Sequence, residues 1–148
     1  MNYIVTTSGD LKALMSIRLE MLREVNNFPD DYSFNKELIE NTEQYFKDGN
    51  HTTILAVDEK AIGCATLSYL CVMPTYSHPT GKRAHLMNVY TNKDYRRMGI
   101  AETMVKMLIN EARKRGVTEI SLDATEAGKP LYKKLGFTES DECMTICL

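Results

Sequence analysis

The sequence lacks a strong excess of either charge. Its 148 residues include 18 Lys and Arg against 20 Asp and Glu, which gives a formal net charge of −2 at pH 7. A chain with this balance carries no general basic field that would attract nucleic acid or anionic lipid. We therefore expect no nucleic-acid partner and no association with membranes.

Signals for export and for membrane insertion are also missing. No apolar run approaches the ~20 residues that cross a bilayer, and the first ten residues, MNYIVTTSGD, lack the basic and apolar regions of a signal peptide. The four cysteines lack the C-x-x-C or Cys/His spacing of metal sites, so we expect reduced, buried thiols and no bound metal. These absences predict a cytoplasmic protein.

The composition that remains is typical of one globular domain. The chain is 43% hydrophobic and 26% charged, which is ordinary for a folded protein. A chain of this length can bury a substantial core. Because no repeat or low-complexity segment divides it, we expect residues 1–148 to form a single domain.

Hydrophobic periodicity and turn residues predict alternating strands and helices along the chain. The predicted elements are a strand at 3–6, a helix that begins near residue 10, a helix at 35–47, strands at 51–57, 61–73 and 83–91, a helix from 97 to 116, a strand at 118–124, a helix at 129–135 and a closing strand at 143–147. This order predicts an α+β fold with a mixed sheet and helices on both faces.

The turn after the predicted strand at 83–91 carries a pattern typical of anion binding. Residues 96–101 read RRMGIA, which fits Q/R-x-x-G-x-G/A. A helix start offers about four unpaired backbone N–H groups and the positive end of the helix dipole, so a diphosphate is a natural occupant. Gly99 and Ala101 would let a ligand approach the backbone closely. The alternative is an ordinary helix start with two solvated arginines.

A second pattern lies one strand and one loop further along the chain. Residues 131–137 read LYKKLGF. Together the two patterns resemble motif A and the closing LYxKxGF signature of the GNAT superfamily of acetyl-CoA-dependent N-acetyltransferases. The element order also matches that family over nearly the whole chain. The resemblance implies a GNAT-type, mostly antiparallel twisted sheet and acetyl-CoA as the cofactor.

The resemblance also implies which residues would hold the cofactor. In this family the strand before motif A separates from its neighbour, and the pantetheine arm lies in the gap. Backbone groups of Met87, Val89 and Thr91 would then hold the arm and polarise the thioester carbonyl. Main-chain N–H groups of the motif would surround the pyrophosphate, namely those of Arg96, Arg97, Met98, Gly99, Ile100 and Ala101.

Two side chains are candidates for the chemistry of acyl transfer, which needs a neutral amine. His85 lies eleven residues before Arg96, an offset at which family members place a general base, and imidazole suits proton transfer near neutral pH. Tyr132 matches the tyrosine that faces the departing sulfur in many members. The alternatives are that His85 only packs between strands and that Tyr132 is a core aromatic residue.

The sequence departs from the family pattern just before Tyr132. Thr125 replaces an asparagine that contacts the cofactor arm in many members, and Gly128 replaces an alanine. That contact is therefore in doubt, and Glu126 becomes a candidate for a polar role near the acceptor. Arg18, within the apolar stripe of the first helix, is the other substrate candidate. It either snorkels to solvent or pairs with a neighbouring carboxylate such as Glu20 or Glu24, or it faces an acidic part of the substrate.

These observations predict an N-acetyltransferase that transfers an acetyl group from acetyl-CoA to a primary amine of a small molecule or a protein. An acidic wall would favour a cationic acceptor, and its candidates are Glu20, Glu24, Asp30 and Asp31. The rival interpretation is a regulatory module that binds CoA or acyl-CoA without turnover. A homodimer remains an open alternative to a monomer.

Overall fold

The computed structural model describes residues 1–148 and is built on a five-stranded sheet. Its strands are β1 (Asn2–Val5), β2 (His51–Asp58), β3 (Lys60–Cys71), β4 (Lys82–Thr91) and β5 (Glu119–Leu122). They lie side by side in chain order. From β1 to β4, each strand is antiparallel to the next. β5 runs parallel to β4, because α3 (Ile100–Lys114) connects them as a crossover.

The other helices are α1 (Leu11–Val25), α2 (Lys36–Asp48) and the short α4 (Lys129–Lys134). Asn35 caps α2 by accepting a hydrogen bond from the Leu38 amide. Before α1, Thr7 and Asp10 form a capping box around a short turn, so the chain enters that helix at a defined angle. None of the helices has the length and apolarity needed to cross a bilayer.

The sheet is buried on both faces, and each face has its own apolar cluster. On one face α3 packs against the strands, with Met104, Val105 and Leu108 fully buried. On the other face α1 and α2 cover the sheet through Leu14 and Phe46. Consecutive residues of β2 enter opposite clusters, as strand alternation requires. The predicted α+β fold, a mostly antiparallel sheet with helices on both faces, is confirmed.

Two sequence-based expectations are wrong. The closing strand at 143–147 is absent: residues 138–148 form neither helix nor strand, and the Met144 and Ile146 side chains are 93% and 83% exposed. A strand needs a partner, and alternating apolar residues do not identify one. The four thiols are free as expected, but only Cys64 is buried. The other three lie at a strand end or in the C-terminal segment, where nothing covers them: Cys71, Cys143 and Cys147.

Two irregularities of β4 create the space for a site. The pairing with β3 changes register beyond the Cys64–Tyr90 pair, because β4 carries one extra residue there, and Asn88 within this bulge has a φ of 57°. On its other side, β5 ends at Leu122, whose partner is Leu86. From the bulge onward, β4 therefore has an unpaired edge.

Candidate active site

Two cavities adjoin at the bulge of β4. The first, of about 210 Å³, lies between the sheet and the two N-terminal helices and is called the α1–α2 cavity. The second, of about 230 Å³, occupies the gap beyond the end of β5 and is called the β4–β5 cavity. Met87 and Asn88 line both. This pair of residues is therefore the point at which the two cavities meet.

The unpaired edge of β4 borders the β4–β5 cavity. Met87 and Val89 line this cavity, and Thr91 ends the strand. Because β5 stops before reaching them, nothing pairs with this stretch of β4 on the side away from β3. The three residues expected to hold a cofactor arm therefore lie on an open strand edge, where an extended ligand can add as a further strand.

The turn before α3 presents a row of free amides. Gly99, at the N-cap, has a φ of 76°, and Arg97 has a φ of 62°. The first hydrogen bond of the helix joins the Thr103 amide to the Gly99 carbonyl, at 3.0 Å. The N–H groups before it donate to no protein acceptor, namely those of Arg97, Met98, Gly99, Ile100 and Ala101. A Cβ at position 99 would meet nothing within 4 Å, so the space beside that backbone is open to an anion.

Arg96 differs from the other residues of this motif. Its amide is bonded to the Lys93 carbonyl at 3.5 Å, and its Nε donates to the Thr91 carbonyl at 2.9 Å. One of its two terminal nitrogens, Nη2, forms an ion pair with Glu24 on α1. Burial alone would raise the pKa of Glu24, but hydrogen bonds from Arg96 and Tyr90 outweigh burial and lower it. The guanidinium thus joins the turn to α1.

The candidates for an acidic wall do not line either cavity. The Tyr90 hydroxyl donates to Glu20 at 3.0 Å and to Glu24 at 2.7 Å, and the Asn92 amide donates to Glu20 at 2.6 Å. Burial and these two carboxylates raise the pKa of Tyr90. Asp30 and Asp31 lie in the exposed loop between α1 and α2. The acidic residues therefore support the turn before α3 or remain in solvent.

His85 lies on β4 and lines the β4–β5 cavity. Its Nδ1 is 2.8 Å from the Ser121 hydroxyl, and its Nε2 is 3.6 Å from a carboxylate oxygen of Asp123. Sequence reasoning missed both partners. The signal was present, since a parallel β5 places Ser121 directly beside His85. The Asp123 side chain is fully exposed, so this contact is weak, and the Ser121 hydroxyl is the closer partner of the ring.

Tyr132, on α4, lines the same cavity. Its ring packs edge-on against Phe137, with centroids 5.8 Å apart, and its hydroxyl has no hydrogen-bond partner in the protein. Burial raises the pKa of Tyr132, so the phenol stays protonated at neutral pH. Tyr132 therefore brings an O–H donor without a protein partner to the cavity that borders the open edge of β4.

Of the two residues before α4, only Thr125 lines the β4–β5 cavity. Its hydroxyl accepts a hydrogen bond from the Gly128 amide at 3.1 Å and so stabilises the turn into the helix. The Glu126 side chain is 89% exposed, pairs with Lys129 at 2.8 Å, and lines neither cavity. The structure does not bring Glu126 to the site.

Arg18 lines the α1–α2 cavity. One guanidinium nitrogen is 3.1 Å from the Asn88 side-chain oxygen and 3.5 Å from the Met21 sulfur, and no carboxylate pairs with it. The Asn88 amide in turn donates to the Thr66 hydroxyl at 3.2 Å. Of the alternatives for Arg18, the ion pair with Glu20 or Glu24 is therefore wrong. Sequence reasoning also missed Asn88, which joins α1 to the bulge.

Comparison with known proteins places this arrangement in a family. The model of the acetyltransferase (GNAT) family matches residues 13–137. The chain belongs to the GNAT family. An acetyltransferase from Clostridium acetobutylicum, assigned by prediction and crystallised with acetyl-CoA, is 30% identical to this GNAT chain. The two structures align over 99% of this chain and 95% of that one, with a TM-score of 0.85.

Curated relatives of this GNAT chain are N-acetyltransferases of different acceptors. Glucosamine 6-phosphate N-acetyltransferase from Trypanosoma brucei brucei is 26% identical over 89 residues, which are 60% of this chain and 58% of that protein. The enzyme from Escherichia coli K12 that acetylates the alanine of ribosomal protein bS18 is 37% identical over 60 residues, which are 38% of this chain and 40% of the enzyme. The match thus spans about half the length of these relatives.

Proposed function

We propose that this GNAT protein transfers an acetyl group from acetyl-CoA to a primary amine, with residues 1–148 acting as one domain. The observation that carries the proposal is the β4–β5 cavity, which combines an open strand edge with the free hydroxyl of Tyr132. The names of the curated relatives and the relative crystallised with acetyl-CoA support it. The acceptor is a small molecule or a protein amine.

The residues present fit acetyl-CoA through main-chain groups. The free amides between Arg97 and Ala101 would hold the diphosphate at the start of α3, where the helix dipole adds to their effect. Backbone groups of Met87, Val89 and Thr91 would hold the pantetheine arm along the open edge. When bound, acetyl-CoA supplies an activated thioester. N–H donors at this edge would stabilise negative charge on its carbonyl oxygen by roughly a few kcal/mol.

His85 is the proposed proton acceptor, acting directly or through a water. It lines the cavity in which the amine would meet the thioester, and its contacts with Ser121 and Asp123 orient the ring there. Glu126, the other candidate base, has less support than His85, because its side chain is exposed, pairs with Lys129 and lines neither cavity.

Tyr132 is the proposed hydrogen-bond donor to the departing sulfur. A phenol has a reference pKa near ~10 and an alkyl thiol near ~8.5, so complete proton transfer to the thiolate is uphill by roughly 1.5 units, or about 2 kcal/mol. Burial raises the pKa of Tyr132 further. We therefore assign it a strengthening hydrogen bond rather than the role of an indispensable acid.

The direct test is to follow the release of free CoA thiol while the protein is supplied with acetyl-CoA and a panel of primary amines. Transfer predicts thiol release that depends on both the amine and the protein. Tight binding of acetyl-CoA without release for any amine would instead indicate a module that holds CoA without turnover.

A further inference from the structure

The α1–α2 cavity contains one formal charge, and it is positive. Its polar lining consists of Arg18, Asn41, Thr42, Tyr45, Thr66 and Asn88. No carboxylate is among the lining residues, and burial raises the pKa of Tyr45, so that phenol is neutral. A cationic acceptor such as a polyamine would therefore meet an unfavourable charge in this cavity.

The charge on Arg18 is not neutralised within the protein. Its hydrogen bond to Asn88 uses one of the five N–H donors of a guanidinium, and the contact with Met21 is weak. Glu20 lies only two residues from Arg18 in the sequence, but it accepts hydrogen bonds from Tyr90 and Asn92 instead. The nearby Cys64 thiol is buried, which raises its pKa to about 12, so it carries no charge to balance the arginine.

A partly buried guanidinium without a carboxylate is costly unless something else pairs with it. Burial indeed lowers the pKa of Arg18, although an arginine remains charged at any physiological pH. Asn41, from α2, also lines the cavity, but it is exposed to solvent. Arg18 is therefore the charged N–H donor of a small cavity that offers it no anion.

We propose that Arg18 binds a carboxylate or phosphate of the acceptor, so that the substrate is a small molecule with both an amine and an acid. This inference rests on the proposed acetyl transfer. Because the two cavities share Met87 and Asn88, an acceptor with its acid group at Arg18 directs its amine toward His85.

The size of the cavity favours a small acceptor. Its volume of about 210 Å³ is below the roughly 300–1,000 Å³ of pockets that enclose drug-sized ligands. An α-carboxylate bound at Arg18 must be free, which excludes the N-terminal residue of a protein because that carboxyl is part of a peptide bond. A phosphate ester of an amino alcohol or an amino sugar also offers a negative charge, on a different group.

The test uses pairs of amines that differ by the presence or absence of one acidic group. Each proteinogenic amino acid is compared with its amide, and phosphoethanolamine and amino-sugar phosphates are compared with their dephosphorylated forms. Thiol release gives kcat and KM with acetyl-CoA, and calorimetry gives binding to the CoA-loaded protein. A preference for amino acids over their amides would identify a carboxylate as the bound anion, and a preference for the phosphorylated amines would identify a phosphate. We expect at least one acidic amine to be preferred over its neutral partner by about 10- to 100-fold, as is typical of a charge-assisted hydrogen bond.

Variants of Arg18 show whether the preference comes from that residue. In Arg18→Met, which keeps most of the apolar stem, the acidic-to-neutral ratio of kcat/KM should fall by about 10- to 100-fold, mainly through KM. Arg18→Lys keeps the charge but loses the planar fork, so it should retain part of the ratio. Lys12→Met removes one positive charge from an exposed position of the same helix and should leave the ratio unchanged.

The outcomes separate this inference from the proposed function. Equal rates for acidic and neutral amines, or a ratio unaffected by Arg18→Met, would overturn the anion site while acetyl transfer stands. Binding of acidic amines that depends on Arg18, but without thiol release, would support the anion site and contradict acetyl transfer. No binding and no release for any member of the panel would count against both.

Discussion

The two sides of the candidate site are built in different ways. On the α3 side, the proposed ligand contacts are the free backbone amides of five consecutive residues, 97–101. On the α1–α2 side they are side chains, and Arg18 meets Asn88 across 70 positions of sequence. The first kind of site leaves a short local pattern, whereas the second exists only after folding. The proposed cofactor site can therefore be recognised from a short pattern, whereas the proposed acceptor site cannot.

The largest expected effect comes from Gly99→Val, which tests the backbone side. A β-branched residue disfavours the φ of 76°, and its side chain would enter the open space beside the free amides. We expect acetyl-CoA binding measured by calorimetry to be lost while the protein still folds.

Gly116→Val is the matched control for this substitution. Gly116 has a φ of 75° at the other end of the same helix, so it carries similar strain without facing the turn. Each variant should lower Tm by about 2–8 °C, from roughly 1–2 kcal/mol of strain. If Gly99→Val binds acetyl-CoA as tightly as Gly116→Val does, the diphosphate site lies elsewhere.

The next largest effect is expected for His85→Ala, which tests the β4–β5 cavity. Loss of a general base should reduce kcat by about 100-fold or more at neutral pH. As pH rises, a larger share of the acceptor amine is already neutral, so the variant should recover part of the rate. Its pH–rate profile should therefore be steeper than that of the wild type.

His78→Ala is the control for His85, because His78 contacts Thr118 and Glu119 and lines neither cavity. It should keep the wild-type profile. A His85 variant with an unchanged profile would remove this residue from the mechanism.

A smaller effect is expected for Tyr132→Phe. The ring still packs against Phe137, so the Kd for acetyl-CoA should change little. Without the hydroxyl, kcat should fall by about 10- to 100-fold, the low end of acid–base effects. Tyr95→Phe, which removes an exposed hydroxyl bonded to Asp58, provides the control. Wild-type turnover in the Tyr132 variant would make it a core aromatic residue only.

The same contrast between local sequence patterns and contacts that form only on folding explains which features the sequence could predict. The free amides before α3 follow from a local pattern, because Gly99 at the N-cap determines the turn. The open edge of β4 was predictable only through the family resemblance. The environment of Arg18 was not predictable from the sequence, since no pattern shows that Tyr90 and Asn92 donate hydrogen bonds to the neighbouring Glu20. The prediction of a closing strand was wrong for the same reason, because no local pattern identifies the strand with which it would pair.

The smallest effect is expected for Arg96→Ala, where the two sides are joined. The main-chain donors of the motif remain, and the Arg96 side chain is already engaged by Thr91 and Glu24. An exposed ion pair contributes about 0.2–1 kcal/mol, so we expect acetyl-CoA binding to weaken by at most about five-fold. A loss as large as that of Gly99→Val would mean that the guanidinium itself binds the phosphates.

The pH dependence of stability separates the joining role of Arg96 from a direct contact with the ligand. Hydrogen bonds from Arg96 and Tyr90 overcome burial and lower the pKa of Glu24 in the folded protein. The associated stability is present above the ordinary pKa of a glutamate and is lost as pH falls through the folded-state value. Without ligand, the Tm of Arg96→Ala should therefore lie below that of the wild type at neutral pH, and the difference should narrow on acidification. A Tm difference that stays constant with pH would show that Glu24 does not depend on Arg96.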